Sequence, residues 1–76
     1  PFNPSTTVSF AVPHDGQVRL EVYNMLGGLV ATIADGVFSA GNYTLRVDAS
    51  QWSSGTYFYR MTAGGQTFVR RMMLLK

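Results

Sequence analysis

The chain contains no cysteine, so disulfides, zinc–thiolate sites and thiol catalysis are excluded. That absence does not fix the compartment, but it removes one hazard for a protein exported through an oxidising space. Charge is scarce. Asp, Glu, Lys and Arg make up 13% of the residues, against a typical ~25%. A surface so poor in charge suits a module whose solubility is supplied by a larger parent chain. No apolar run approaches the ~20 residues of a membrane-spanning helix, and none of these residues reads as a signal peptide. No helix of useful length fits, and there is no internal repeat and no low-complexity linker. The chain opens on Pro1 without an initiator methionine, which reads as a fragment of a larger protein.

What is present is a β pattern. With 76 residues, 46% of them hydrophobic, the chain is read as one domain over 1–76, near the lower size limit for folding alone. The dominant period is two. Val8, Phe10 and Val12 alternate with small or polar residues, as do Val18, Leu20 and Val22, then Tyr43, Leu45 and Val47, then Tyr57, Tyr59 and Met61. This is the mark of strands with one buried and one wetter face. Residues 29–34 form a strand of weaker alternation, and residues 68–75 form the last. Turn chemistry separates the runs: Pro13-His14-Asp15-Gly16, the stretch 24–28 with Gly27 or Gly28 suited to a left-handed position, Asp35-Gly36, Ala40-Gly41-Asn42, and Gly64-Gly65 as a two-residue hairpin signal. Residues 37–39 are a candidate for a short extra strand. Residues 1–4, with two prolines, read as the end of a linker. The expected fold is an all-β, immunoglobulin-like antiparallel sandwich of about seven strands without a disulfide.

Catalytic chemistry has little to work with. His14 is the only histidine, and its bland reading is an exposed turn residue. Three of the four acids (Asp15, Asp35 and Asp48) fall at expected turns, where aspartate bonds local backbone. There is no nucleophile elbow, phosphate loop or metal-ligand spacing, so the chain reads as non-catalytic, with no cofactor. Net charge is +2, but only Arg70 and Arg71 are adjacent among the basic residues. Arg60 falls on the opposite strand face from Tyr57 and Tyr59. Nucleic-acid binding, which needs a basic stripe with stacking aromatics on one face, is set aside. Tyr43, Tyr57 and Tyr59 lie on the apolar period and read as core. Trp52 in a polar loop and Tyr23 on an outward position are the one pair that suggests a glycan platform. An accessory carbohydrate-binding module, or a purely structural spacer, is therefore the alternative function.

The end of the chain is unusual. Arg70-Arg71-Met72-Met73-Leu74-Leu75-Lys76 places two cations before four apolar residues, where chain ends are commonly polar and frayed. Apolar residues fall on both strand faces: Phe68, Met72 and Leu74 on one, Val69, Met73 and Leu75 on the other. Two readings stand side by side. One is a central strand buried on both sides. The other is an exposed or edge strand offered to a partner, with the arginines adding selectivity.

Four segments, in order, carry a family resemblance that spans nearly the whole chain. Pro1-Phe2-Asn3-Pro4-Ser5-Thr6-Thr7-Val8-Ser9-Phe10 resembles the opening of the type A C-terminal sorting domain of the type IX secretion system. Val22-Tyr23-Asn24-Met25-Leu26-Gly27 resembles that family's first hairpin turn, and Ser54-Gly55-Thr56-Tyr57-Phe58-Tyr59-Arg60 its glycine-tyrosine strand motif. Arg70 to Lys76 resembles its basic-apolar terminus. The immunoglobulin-like domain of flagellar hook-capping proteins shares much of the strand pattern and is the confusable neighbour. The resemblance implies a non-catalytic secretion signal on a parent cargo domain N-terminal to Pro1. The cargo would pass through the periplasm, be recognised by an outer-membrane translocon, and reach the cell surface or the medium, in many members after removal of the domain by a sortase-like peptidase. On that reading Arg70, Arg71, Met72, Met73, Leu74, Leu75 and Lys76 meet the translocon. Gly55, Gly64 and Gly65 serve the scaffold, and Tyr57 and Tyr59 anchor the core beneath the last strand.

Overall fold

A computed structural model describes residues 5–75; the linker read at 1–4, and Lys76, lie outside the described residues. The described chain is all β, with strands β1 (Ser5–Val12), β2 (Gly16–Asn24), β3 (Leu29–Phe38), β4 (Gly41–Asp48), β5 (Gly55–Ala63) and β6 (Gln66–Leu74). They form two antiparallel sheets, one of order β1-β4 and one of order β3-β2-β5-β6. The expected antiparallel sandwich is therefore present, with six strands where about seven were anticipated.

The missing strand has a local explanation. Asp35-Gly36 reads as a turn, with 37–39 beyond it as a separate strand. Instead β3 runs on to Phe38, pairing Asp35 with Arg19 and Gly36 with Val18. The Asp35 carboxylate accepts a hydrogen bond from Gln17 Nε2 at 2.9 Å, so it bonds the neighbouring strand rather than its own backbone. At the strand end the Phe38 ring packs edge-on against Phe10 and Tyr43, with centroids 6.0 and 5.1 Å away. The weak alternation in β3 also has a cause. Its register against β2 shifts twice, between Leu20/Glu21 and between Val22/Tyr23. Each shift leaves one extra β3 residue, which lets the neighbours Ile33 and Ala34 both pack on the core.

The core forms where the inward faces meet. Val8, Phe10 and Val12 of β1 and Val47 of β4 lie over Val18 and Leu20 of β2, Ala34 of β3, and Met61 and Ala63 of β5. Val22, Ala49, Tyr57 and Leu74 make a second buried group, and Trp52, Ile33, Tyr59 and Met72 pack against both groups. Leu20, Val8, Val18 and Val22 are the largest side chains removed completely from solvent. Each such side chain stabilises the fold by roughly 1.5–3 kcal/mol relative to exposure.

Two local devices set strand entry. The Tyr57 hydroxyl donates to the Ser53 carbonyl at 2.6 Å, and the Tyr43 hydroxyl to the Ser39 carbonyl at 2.6 Å. Both follow one pattern, Ser-x-Gly-x-Tyr: Ser39-Ala40-Gly41-Asn42-Tyr43 and Ser53-Ser54-Gly55-Thr56-Tyr57. Gly41 and Gly55 both have φ of 150°, a conformation side chains rarely adopt. The glycine bends the chain into the strand and the tyrosine ties the bend to the core. At the β5–β6 hairpin, Gly64 and Gly65 have φ of 58° and 77°, with Ala63 paired to Gln66, which is the two-residue turn with both central residues at positive φ.

Candidate recognition surface

β6 is an edge strand. It pairs with β5 from Ala63↔Gln66 to Gly55↔Leu74, and among the described residues no strand pairs on its other side. This resolves the two readings of the apolar terminus. The inner face carries Phe68, Arg70, Met72 and Leu74, but only its C-terminal half is packed. Leu74 is 6% exposed and Met72 half-buried, whereas Phe68 is 43% exposed and Arg70 lies open. The outer face carries Val69, Arg71 and Met73, with Val69 and Met73 each 60% exposed. Leu75, beyond the strand, is 81% exposed.

Of the residues assigned to translocon contact, Arg70, Arg71, Met73 and Leu75 are thus presented to solvent. Leu74 packs with Val22, Ala49 and Tyr57, and Met72 packs against both core groups, so these two hold the strand rather than display it. Tyr57 is buried beside Met72, its register partner on the adjacent strand, and Tyr59 is half-buried opposite Arg70.

The electrostatics of this strand differ from those of its neighbours. Every acid in the described chain has a partner. Asp15 accepts from Ala40 N, Asp35 from Gln17, and Asp48 from Ser50 N. Glu21, the one buried charged residue among those described, accepts from Arg19 Nε at 3.2 Å, Arg60 Nη2 at 3.0 Å and the Tyr23 hydroxyl at 3.0 Å. Arg60 also donates to the Tyr23 hydroxyl at 2.6 Å and sits over the Tyr23 ring, 4.9 Å from its centroid. The Arg60 hydrogen bond holds the Glu21 carboxyl below the usual glutamate range, against the opposing effect of burial, with help from Tyr23 and Arg19. Burial first, and then its bond to Glu21, push the Tyr23 hydroxyl up. The bond to Glu21 likewise raises Arg60. Among the described residues no acid is left for Arg70 or Arg71, and neither makes an ion pair. The two cations point to opposite sides of the edge strand.

The structure does not bring Trp52 and Tyr23 together. Tyr23 stands on the outer face of β2, engaged by Glu21 and Arg60. Trp52 packs against the core, its ring 5.2 Å from that of Tyr57. His14 is exposed in the β1–β2 turn. In the β2–β3 loop the Asn24 carboxamide oxygen accepts from Leu26 N and Gly28 N, both at 2.9 Å, and Gly27 takes the left-handed position at φ 84°.

Sequence reasoning passed over the Glu21 cluster, although a signal was there. Glu21 is the one acid in the middle of an alternating strand, with Arg19 and Tyr23 two residues to either side on the same face. The repeated Ser-x-Gly-x-Tyr pattern was equally legible.

No match to the chain is found among curated proteins or among solved structures. A family model, described as secretion system C-terminal sorting domain, matches residues 1–75. The resemblance carried by the opening segment, the glycine-tyrosine strand and the basic-apolar end thus agrees with a match over nearly the full length, and the chain belongs to the family of C-terminal sorting domains that act as signals for type IX secretion.

Proposed function

We propose that this domain directs a parent protein, joined N-terminal to Pro1, across the outer membrane and to the cell surface, through recognition of the β6 edge by the secretion translocon. The domain is substrate and ligand in this process and performs no chemistry itself. A sortase-like peptidase that removes the domain and attaches the cargo completes the scheme. The observation that carries the reading is the state of β6: among the described residues it is an edge open on one side, with Arg70 and Arg71 lacking acidic partners, held in register by a buried Leu74. Unpaired backbone supplies affinity for an added strand, and exposed cations steer encounter with an acidic receptor. Arg70, Arg71, Met73, Leu75 and Lys76 are the contacts; Met72 and Leu74 fix the strand; Gly55, Gly64, Gly65, Tyr57 and Tyr59 support it.

The test is a periplasmically exported reporter carrying this domain at its C-terminus, in a host with the type IX system. Deleting 70–76 also removes the buried Leu74, so the decisive variant is the pair Arg70→Glu and Arg71→Glu. The expected result is a reporter retained in the periplasm with an unchanged circular dichroism spectrum of the domain. Export of the charge-reversed fusion at the unmodified level would refute recognition through these cations.

A further inference from the structure

The two sheets are unequal, and the mismatch leaves a slot. β1 and β4 form the whole of one sheet, and it lies over a sheet of four strands. Among the described residues β1 pairs with β4 alone, so one side of its backbone is open. In an antiparallel ladder, residues alternate in pointing their N–H and C=O groups toward and away from the partner strand, so half of the β1 backbone groups face the open side. A groove of about 700 Å³ is walled by Phe10, Tyr59, Met61 and Phe68, with Ser9, Asn42 and Thr44 as its neutral polar lining and Arg70 as its one charge. Phe68, 43% exposed, belongs to the inner face of its sheet but has no strand above it.

We propose that this groove receives one further β-strand, an extended peptide segment bearing a carboxylate, which pairs with the open edge of β1 and places its acid on Arg70. Three observations converge on that occupant. The backbone edge selects an extended chain, since it offers main-chain donors and acceptors at strand spacing. The Tyr59 hydroxyl reaches up from β5 to the Ser9 carbonyl at 3.3 Å, beyond the 2.5–3.0 Å usual for O–H···O bonds, a weak contact that yields readily to an incoming strand. Among the described residues the guanidinium of Arg70 has no acidic partner, and it is the one charge lining the groove, where a carboxylate forms a charge-assisted bond stronger than a neutral one. A second copy of the domain does not meet this requirement through the same edge, because β1, Ser-Thr-Thr-Val-Ser-Phe-Ala-Val, contains no acid and pairing it with itself supplies no carboxylate to either Arg70.

The inference goes beyond the sorting reading. It concerns the inner side of β6 and the edge of β1, and its test uses the isolated domain without secretion machinery. The isotopically labelled domain is titrated with acetyl-Val-Ser-Val-Thr-Asp-Thr-Val-Ser-amide, whose alternation puts Val and Asp on one face, and amide shifts are followed by NMR. A matched peptide with Asn in place of Asp is the control. The expected shifts lie in β1 and at Tyr59, Phe68 and Arg70. The Asp peptide should bind about fivefold or more tightly than the Asn peptide, the ratio that ~1 kcal/mol of charge assistance gives. Arg70→Gln should abolish that ratio, and Arg71→Gln, on the opposite face, should preserve it. Absence of β1 shifts at millimolar peptide, shifts confined to the outer edge of β6, or equal binding of the two peptides would each overturn the proposal.

Discussion

Leu74→Ala and Met73→Ala are neighbouring truncations that should have opposite consequences. Leu74 is 6% exposed and touches Val22, Ala49 and Tyr57. Leucine-to-alanine changes in cores cost ~2–5 kcal/mol. Leu74 ends an edge strand, where the chain relaxes more readily than in a central one, so a loss of roughly 2–3 kcal/mol is expected. At ~4–8 °C per kcal/mol for a domain of this size, Tm falls by roughly 8–24 °C. A 76-residue domain holds roughly 4–11 kcal/mol of stability, so the variant remains folded at room temperature. Met73 is 60% exposed, and its main contact is the Thr56 hydroxyl on its sulfur. Its truncation should cost below ~0.5 kcal/mol. Urea unfolding followed by Trp52 fluorescence reads both, because Trp52 lies against Tyr57, which packs on Leu74. In the reporter assay at a temperature where both variants are folded, the order inverts: Met73→Ala lowers export and Leu74→Ala leaves it near normal. Equal stability losses, or a larger loss for Met73, would show that the terminal strand is not pinned as described.

Gly55→Ala should lower stability by ~1–3 kcal/mol through backbone strain alone, since a Cβ there meets nothing within 4 Å while φ is 150°. Tyr57→Phe should lose ~0.5–1.5 kcal/mol with the bond to Ser53, and a shift in urea midpoint at constant m-value checks both changes. Glu21 titrates below the usual glutamate range in the folded state, principally through Arg60, so the unfolded chain takes up its proton at the higher pH. Its contribution is complete above the ordinary glutamate pKa and is lost as pH falls through the depressed folded value. Glu21→Gln should therefore flatten the fall in urea midpoint over the acid range below about pH 5, and an unchanged slope would refute the assignment.

Strands β1, β2, β4 and β5 were legible because each is half-buried along its length, so period two survives in the residues themselves. β3 was blurred because its two register shifts put Ile33 and Ala34 on one side, a choice made by the partner strand. Asp35-Gly36 carries turn chemistry, but pairing with Arg19 and Val18 overrides it. β6 was ambiguous for a different reason: its local pattern fits a strand buried on both faces, and only the sheet order shows that one side is open. The Glu21 cluster needed Arg60, 39 residues away, to become a site. The exposed and buried members of the basic-apolar end were likewise inseparable without knowing that Val22, Ala49 and Tyr57 meet at Leu74.

The register of β6 decides what the strand presents, and several features hold it. A slip of one residue exchanges the two faces of a strand. Slipped in one direction, Arg71 would take the half-buried place of Met72 beside Tyr57, at a cost of several kcal/mol for an unpaired guanidinium drawn toward the core. Slipped in either direction, the paired glycines of the β5–β6 turn lose the two-residue geometry that their positive φ values serve. On the far side of β5, Arg60 is fixed opposite Glu21, so the strand on which β6 pairs cannot itself slide against β2 without breaking the ion pair. The residue type that the proposed recognition relies on is therefore also one that keeps the edge in place. Arg71 gains from being outside, where it is available to a partner, because the alternative register would bury it. On the proposed reading, recognition at the edge is coupled to completion of the sandwich, because only the folded domain fixes Arg70 and Arg71 on opposite faces of one open strand.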